Sequence, residues 1–196
     1  GVYISSDEGA NWIQVNSGLL DLHVAYLSSD GTSIYAATWG GVYMSSNNGA
    51  NWNEINNNLD EKFSLALAQN ANSLFVGTGA GLSRTPLNNI SWSAVNDGIS
   101  GIVISSLAAN GVEVFLGSIN GHWMFKTTNN GVNWNRVYCQ GAFSQGVTAV
   151  ACNNNDLFAG STMETYKSTN YGATWSELSG GMFWIYSFTF EIGRAS

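Results

Sequence analysis

The chain holds 196 residues, which fits one domain and is long enough to bury a substantial core. Only 10% of its residues are charged, and 13 Asp plus Glu against 6 Lys plus Arg leave a net charge of −7, so it lacks the basic footprint that nucleic acid requires. No apolar run is long enough for a membrane-spanning helix. No leader pattern is visible, and because the chain starts at Gly1 both a removed leader and an excised piece stay open.

Read in order, the chain opens on Gly1-Val2-Tyr3-Ile4, which aligns with the later Gly41-Val42-Tyr43-Met44. An eight-residue box follows, Ser5-Ser6-Asp7-Glu8-Gly9-Ala10-Asn11-Trp12. Apolar runs then fall at 24–27, 33–38 and 41–44, and a second box carries Ser45, Asn47, Gly49 and Trp52. Runs at 63–68 and 73–78 precede a worn copy that ends at Trp92. Runs at 103–108 and 113–118 precede the box of Thr127, Asn129, Gly131 and Trp134. Runs at 147–151 and 156–161 precede the box of Ser168, Asn170, Gly172 and Trp175, and a last apolar run covers 185–192. The box tryptophans are 40, 40, 42 and 41 residues apart, which marks a repeat protein.

Each repeat is four short runs rich in Val, Ile, Tyr and Phe, separated by Gly, Asn and Asp, the pattern of strands joined by tight turns. We label them a, b, c and d, with d expected to begin at the box tryptophan. No stretch sustains a 3.6-residue period, so no helix beyond a turn or two is expected. Four strands in about 40 residues are the blade of a β-propeller, and blades stacked face to face explain why a and b read as nearly continuous apolar runs.

The box resembles the Asp-box, or BNR repeat, found in sialidases, sortilin-type receptors, family 74 xyloglucanases and photosystem assembly factors. The resemblance covers essentially the whole chain and implies an all-β propeller whose boxes form the c–d turns. The first Ser or Thr and the Asp or Asn should bond backbone N–H groups of their own turn. The glycine should supply a positive φ and the tryptophan an apolar plug between blades. Asn47, Asn129 and Asn170 replace the usual Asp, and their side-chain oxygens can make the same turn bonds. That substitution also argues against calcium at the boxes, and no metal or other cofactor is expected.

The inventory is four complete sets, a c–d hairpin in front and an a strand behind: about five four-stranded blades, one of them incomplete. The last run is expected to close a ring by pairing with Gly1-Val2-Tyr3-Ile4, since closure removes exposed edges. The alternatives are an arc of a longer propeller and a dimer that completes one ring. Cys139 and Cys152 flank a strand that carries them to opposite faces, which argues against a disulfide. The Asn-rich, Lys-poor style resembles that of secreted or cell-surface bacterial proteins.

Chemistry should sit in the b–c and d–a loops, on the face away from the boxes. Sialidase activity needs three arginines around a substrate carboxylate, and Arg84, Arg136 and Arg194 are not placed for it. An inverting glycosidase needs two carboxylates about 6.5–9.5 Å apart, which Asp21, Asp60, Asp97 and Glu164 supply by position, although solvated loop carboxylates are the simpler reading. His23 and His122 are the only histidines and have no partner at zinc-ligand spacing. The binding candidates are Trp39, Trp123, His122, Asp60, Glu164 and Trp184. Trp39 and Trp123 follow strand b at positions that hold Gly79 or Thr162 in other repeats, so the repeat itself does not require them. The expectation is a non-catalytic binding or scaffold module whose ligand is a protein or a glycan. The rival is a fragment of a xyloglucanase-like glycoside hydrolase.

Overall fold

Eighteen strands and no helix form the described residues, 1–121, 123–138, 146–153, 155–178 and 185–188, of a computed structural model. A two-stranded hairpin comes first, β1 (Tyr3–Ile4) against β2 (Ile13–Gln14). Four antiparallel four-stranded sheets follow, each in chain order from its inner to its outer strand. The first blade is β3 (Val24–Ser29), β4 (Ile34–Thr38), β5 (Gly41–Ser45) and β6 (Asn53–Glu54). The second is β7 (Ser64–Gln69), β8 (Ser73–Thr78), β9 (Gly81–Pro86) and β10 (Ser93–Ala94). The third is β11 (Ile104–Asn110), β12 (Glu113–Ser118), β13 (Met124–Thr127) and β14 (Asn135–Val137). The fourth is β15 (Ala149–Asn153), β16 (Asp156–Gly160), β17 (Thr165–Ser168) and β18 (Ser176–Glu177). Four blades plus a c–d hairpin match the expected propeller. Strand d begins one residue after each box tryptophan rather than on it, because the tryptophan still belongs to the turn.

The boxes are closed turns built from their own side chains. In the first, Ser5 Oγ accepts the Gly9 N–H at 2.8 Å and Asp7 Oδ1 accepts the Asn11 N–H at 2.8 Å. Asn does the same elsewhere. Asn47, Asn129 and Asn170 accept the N–H groups of Asn51, Asn133 and Thr174 at 2.9, 3.0 and 2.8 Å. The turn needs two successive residues in the left-handed region, such as Asn48 (φ 55) and Gly49 (φ 82), so the non-glycine residue ahead of each box glycine shares the demand.

The tryptophans then join blade to blade. The indole N–H groups of Trp52, Trp92 and Trp134 donate to the carbonyls of Val15, Ile55 and Val95 in the preceding unit, at 2.8, 2.6 and 2.9 Å. All three rings are buried. The indoles of Trp12 and Trp175 instead donate within their own turns, to Gly9 O and Gly172 O at 3.1 Å each, and the Trp12 side chain is 61% exposed. Between blades lie separate apolar clusters. Tyr35, Ala37 and Val42 of the first blade meet Leu67, Leu74, Val76 and Trp92 of the second. Phe75 and Leu82 meet Ile104, Leu107, Val114 and Trp134 across the next interface. Phe115 and Met124 meet Val147, Val150 and Leu157 across the last.

Packing at the inner strands is tight enough to dictate residue size. A Cβ on Gly77 would lie 2.5 Å from Ile104 Cγ2, one on Gly117 2.6 Å from Val147 Cγ1, and one on Gly160 2.8 Å from Ile185 Cγ2. The same register position in the first blade is Ala37, and there the next blade supplies the small Ser64 instead of a branched residue. Ile185 thus stands where a following strand a begins. Thr148 Oγ1 donates to Ile185 O, as Ser105 Oγ donates to Val147 O one blade earlier. Within the described residues 185–188, however, there is no strand, and no hydrogen bond joins them to β1. The rest of the expected closing run lies outside the described residues.

Candidate functional site

The loops opposite the boxes are tied down by hydrogen bonds of their own side chains. Thr38 Oγ1 donates to Gly41 O at 2.9 Å and accepts the Gly40 N–H at 3.1 Å, which closes the b–c turn; Thr78 repeats the bond to Gly81 O at 3.0 Å. The d–a loops are tied to the start of strand c by an asparagine. Asn16, Asn56 and Asn96 accept the N–H groups of Val2, Val42 and Leu82 at 2.6, 2.7 and 2.8 Å.

On this face stands a column of three rings. Trp39 follows β4, and its N–H donates to His23 O at 3.2 Å. The His23 imidazole lies parallel to the Trp39 indole at 4.4 Å, and Phe63 tilts against the indole at 5.5 Å. Asp21 orients the outer end, where its Oδ1 accepts the His23 N–H at 2.7 Å and sits 2.9 Å from His23 Nδ1. The backbone N–H of His23, joined by its ring, holds the Asp21 carboxyl below the ordinary carboxylate range against an opposing effect of burial. Trp39 is 50% exposed and Phe63 40%, so the column presents ring edges to solvent.

Trp123 is a separate feature. Its ring covers the Arg136 guanidinium of the outer strand β14, and Tyr138 lies 5.1 Å from the same group. The register corrects the sequence reading here. Ser118 N–H donates to Trp123 O and Ser161 N–H to Glu164 O, so Trp123 matches Glu164, Gly41 and Gly81, while Trp39 matches Gly79 and Ile119. The third blade has a longer b–c loop, which displaced the alignment. Asp60 is exposed in its d–a loop. Glu164 is half-buried, and its Oε2 is buried without a hydrogen-bond partner among the described residues. No ring contact, ion pair or hydrogen bond joins Trp39, Trp123, Asp60 and Glu164 to one another among the described residues. His122 and Trp184 lie outside those residues. His23 and Asp21 belonged to the loops expected to converge, but Phe63 was read only as a strand residue, and its exposure appears only once the blades are assembled.

Along the axis β3 lies against β7, β7 against β11, and β11 against β15. Together with residues 186–188 they line a cavity of about 580 Å³, walled by small residues such as Ser28, Ala68, Ala109 and Ala151. Cys152 opens into it as a free thiol, and burial, then the charge of Glu113, push it up to about 11, so it stays protonated at neutral pH. Cys139 lies outside the described residues. Among those residues no three His, Cys, Asp or Glu gather as a metal site. No helix of the described residues is long and apolar enough to cross a membrane.

No protein-family model matches the chain. No curated protein matches it by sequence. Solved structures do resemble it. An ancestral GH74 enzyme is 26% identical at a TM-score of 0.68, over 84% of this chain and 24% of that one. The extracellular domain of BT4673 from B. thetaiotaomicron is 16% identical at 0.68, over 86% and 25%. YCF48 bound to D1 peptide is 17% identical at 0.64, over 89% and 60%. The fold is that of a β-propeller, and this chain spans about a quarter of the first two proteins.

Proposed function

We propose that the chain is a non-catalytic binding module of the Asp-box propeller type that holds a protein segment on its loop face through the His23–Trp39–Phe63 column. The observation that carries this reading is the column itself. A stacked imidazole and a tilted phenyl ring flank the Trp39 indole, which leaves little open π-face for a sugar ring but offers ring edges and an Asp21–His23 polar pair to a peptide. The likeness to YCF48 in its complex with the D1 peptide supports a ligand of the peptide class. Panning a phage-displayed peptide library on the whole chain, with Trp39→Ala as counter-selection, tests it. Enriched peptides that lose affinity with Trp39→Ala are expected. A glycan array that is positive on the wild type and negative on Trp39→Ala would replace the protein ligand by a glycan.

The second reading, a fragment of a glycoside hydrolase, is favoured by the 26% identity to a GH74 enzyme. It requires release of reducing sugar from xyloglucan, lost in Asp60→Asn or Glu164→Gln. Such activity would overturn the binding reading.

A further inference from the structure

We infer that Trp123, Arg136 and Tyr138 of the third blade form a second binding site, which takes the side-chain carboxylate of an acidic segment of a partner polypeptide.

The site stands where the third blade gives up a device that the first two blades use. There the residue that opens strand c is a glycine, Gly41 or Gly81, and it lies against an asparagine just past strand d, Asn56 or Asn96. The asparagine Oδ1 accepts the N–H of the residue after the glycine, Val42 or Leu82, at 2.7 and 2.8 Å. A Cβ on either glycine would collide with that amide. In the third blade the register puts Trp123 at the position of the glycine and Tyr138 at that of the asparagine. A tryptophan needs the room that the amide would fill, so the two replacements depend on each other. The residue between them in space changes as well. Arg136 pairs with Phe125 where Glu54 pairs with Tyr43, Ala94 with Ser83 and Glu177 with Tyr166. Three positions are thus exchanged together at one corner of one blade, and the packing of the repeat requires none of the new residues.

The exchange builds a cation among rings. The Trp123 ring covers the guanidinium, and the Tyr138 ring centroid lies 5.1 Å from its Cζ. Trp123 is 40% and Tyr138 75% exposed, while Arg136 is half-buried. The guanidinium makes no ion pair and no hydrogen bond among the described residues, and its Nε is buried without a partner. A cation partly desolvated by rings and left with unused donors favours an anion. Residues 136–138 also border a cleft of about 240 Å³ that Lys126 lines from the neighbouring strand. Lys126 is already engaged, by Glu113 at 3.9 Å and by the Tyr171 carbonyl at 3.5 Å. Arg136 is therefore the cation of this corner that is left for a ligand.

The geometry selects the ligand. Both rings are turned onto the guanidinium, so an incoming group meets it along its nitrogen edge, where a planar carboxylate matches the fork of donors. A sugar ring would need those ring faces for stacking. The chain carries a net charge of −7 and repels anions as a whole, so the attraction is local. A short segment with one or two carboxylates suits it, and a polyanion does not.

The test is saturation-transfer difference NMR of the peptide acetyl-Ala-Asp-Leu-Asp-Ala-amide with the whole chain. Saturable transfer is expected. The same peptide with Asn for Asp should bind at least about tenfold more weakly. Arg136→Ala, which copies Ala94 of the second blade, should weaken the Asp peptide as much and keep the wild-type melting curve. Trp123→Gly combined with Tyr138→Asn restores the tie of the first two blades, so it should fold as stably as the wild type and lose the peptide. Trp39→Ala should leave the affinity unchanged, which separates this site from the His23–Trp39–Phe63 column. Four results each overturn the inference: no transfer at about 10 mM peptide, a weak-binding limit; equal binding of the Asp and Asn peptides; unchanged affinity in Arg136→Ala; or tighter binding of glucuronate, or of the Asn peptide with a free terminal carboxylate, than of the Asp peptide.

Discussion

Replacing Trp92 by Ala and, separately, Trp12 by Ala separates two roles the box tryptophan could have. Both residues end a turn at the same position in the repeat. If the ring served its own turn, the two changes would cost alike. The structure instead places Trp92 among Tyr35, Val42, Leu59, Leu67 and Leu74, with its indole N–H on Ile55 O at 2.6 Å. Removing a buried ring of this size costs about 3–5 kcal/mol through lost transfer energy and residual cavity. Part of that cost is the Ile55 carbonyl left without a donor, about 1–3 kcal/mol, which Trp92→Phe isolates because it keeps most of the ring. Trp12 is 61% exposed and bonded only to Gly9 O, so Trp12→Ala should stay within about 1 kcal/mol, as for other surface changes. In urea unfolding followed by far-UV circular dichroism, with a slope of about 2 kcal/mol/M, Trp92→Ala should lower the midpoint by about 2 M and Trp12→Ala by less than about 0.5 M. Equal midpoint shifts for the two variants would refute the inter-blade role.

Three further outcomes follow from the geometry. Asn47→Asp should leave the melting temperature nearly unchanged, because a carboxylate oxygen accepts the Asn51 N–H as well as the amide does, whereas Asn47→Ala should cost about 1 kcal/mol in chemical unfolding. Gly77→Ala should destabilise by about 1–3 kcal/mol by overpacking Ile104, and Ile104→Ala should cost less in the Gly77→Ala background than in the wild type in the same assay, because the added methyl fills part of the space the isoleucine leaves. Asp30 caps the first a–b turn, and the hydroxyl of Thr32, then the N–H groups of Ser33 and Thr32 and the hydroxyl of Tyr35, lower its carboxyl from 3.8 to about 2. A depressed carboxyl stabilises above its unfolded value and loses that contribution as pH falls through the folded value, so between about pH 4 and 2 the wild type should lose stability relative to Asp30→Asn. Parallel acid titrations of the two proteins would disprove the assignment.

The fold was legible because its information is local. The box turn is made within eight residues by Ser5 Oγ, Asp7 and their counterparts, and these bonds hold with Asn as with Asp because both offer the same oxygen. The 40-residue period then sets the blades. The site was less legible. The His23–Trp39–Phe63 column joins three segments across two blades, and only assembled blades bring its rings to 4.4 and 5.5 Å. Trp39 and Trp123 look alike in the sequence, but a longer loop moves Trp123 into the register of Gly41 and onto Arg136. Likewise the repeat determined that Trp12 and Trp92 are equivalent, but the neighbouring blade decided that one is exposed and the other buried, because burial belongs to the surface that covers a residue.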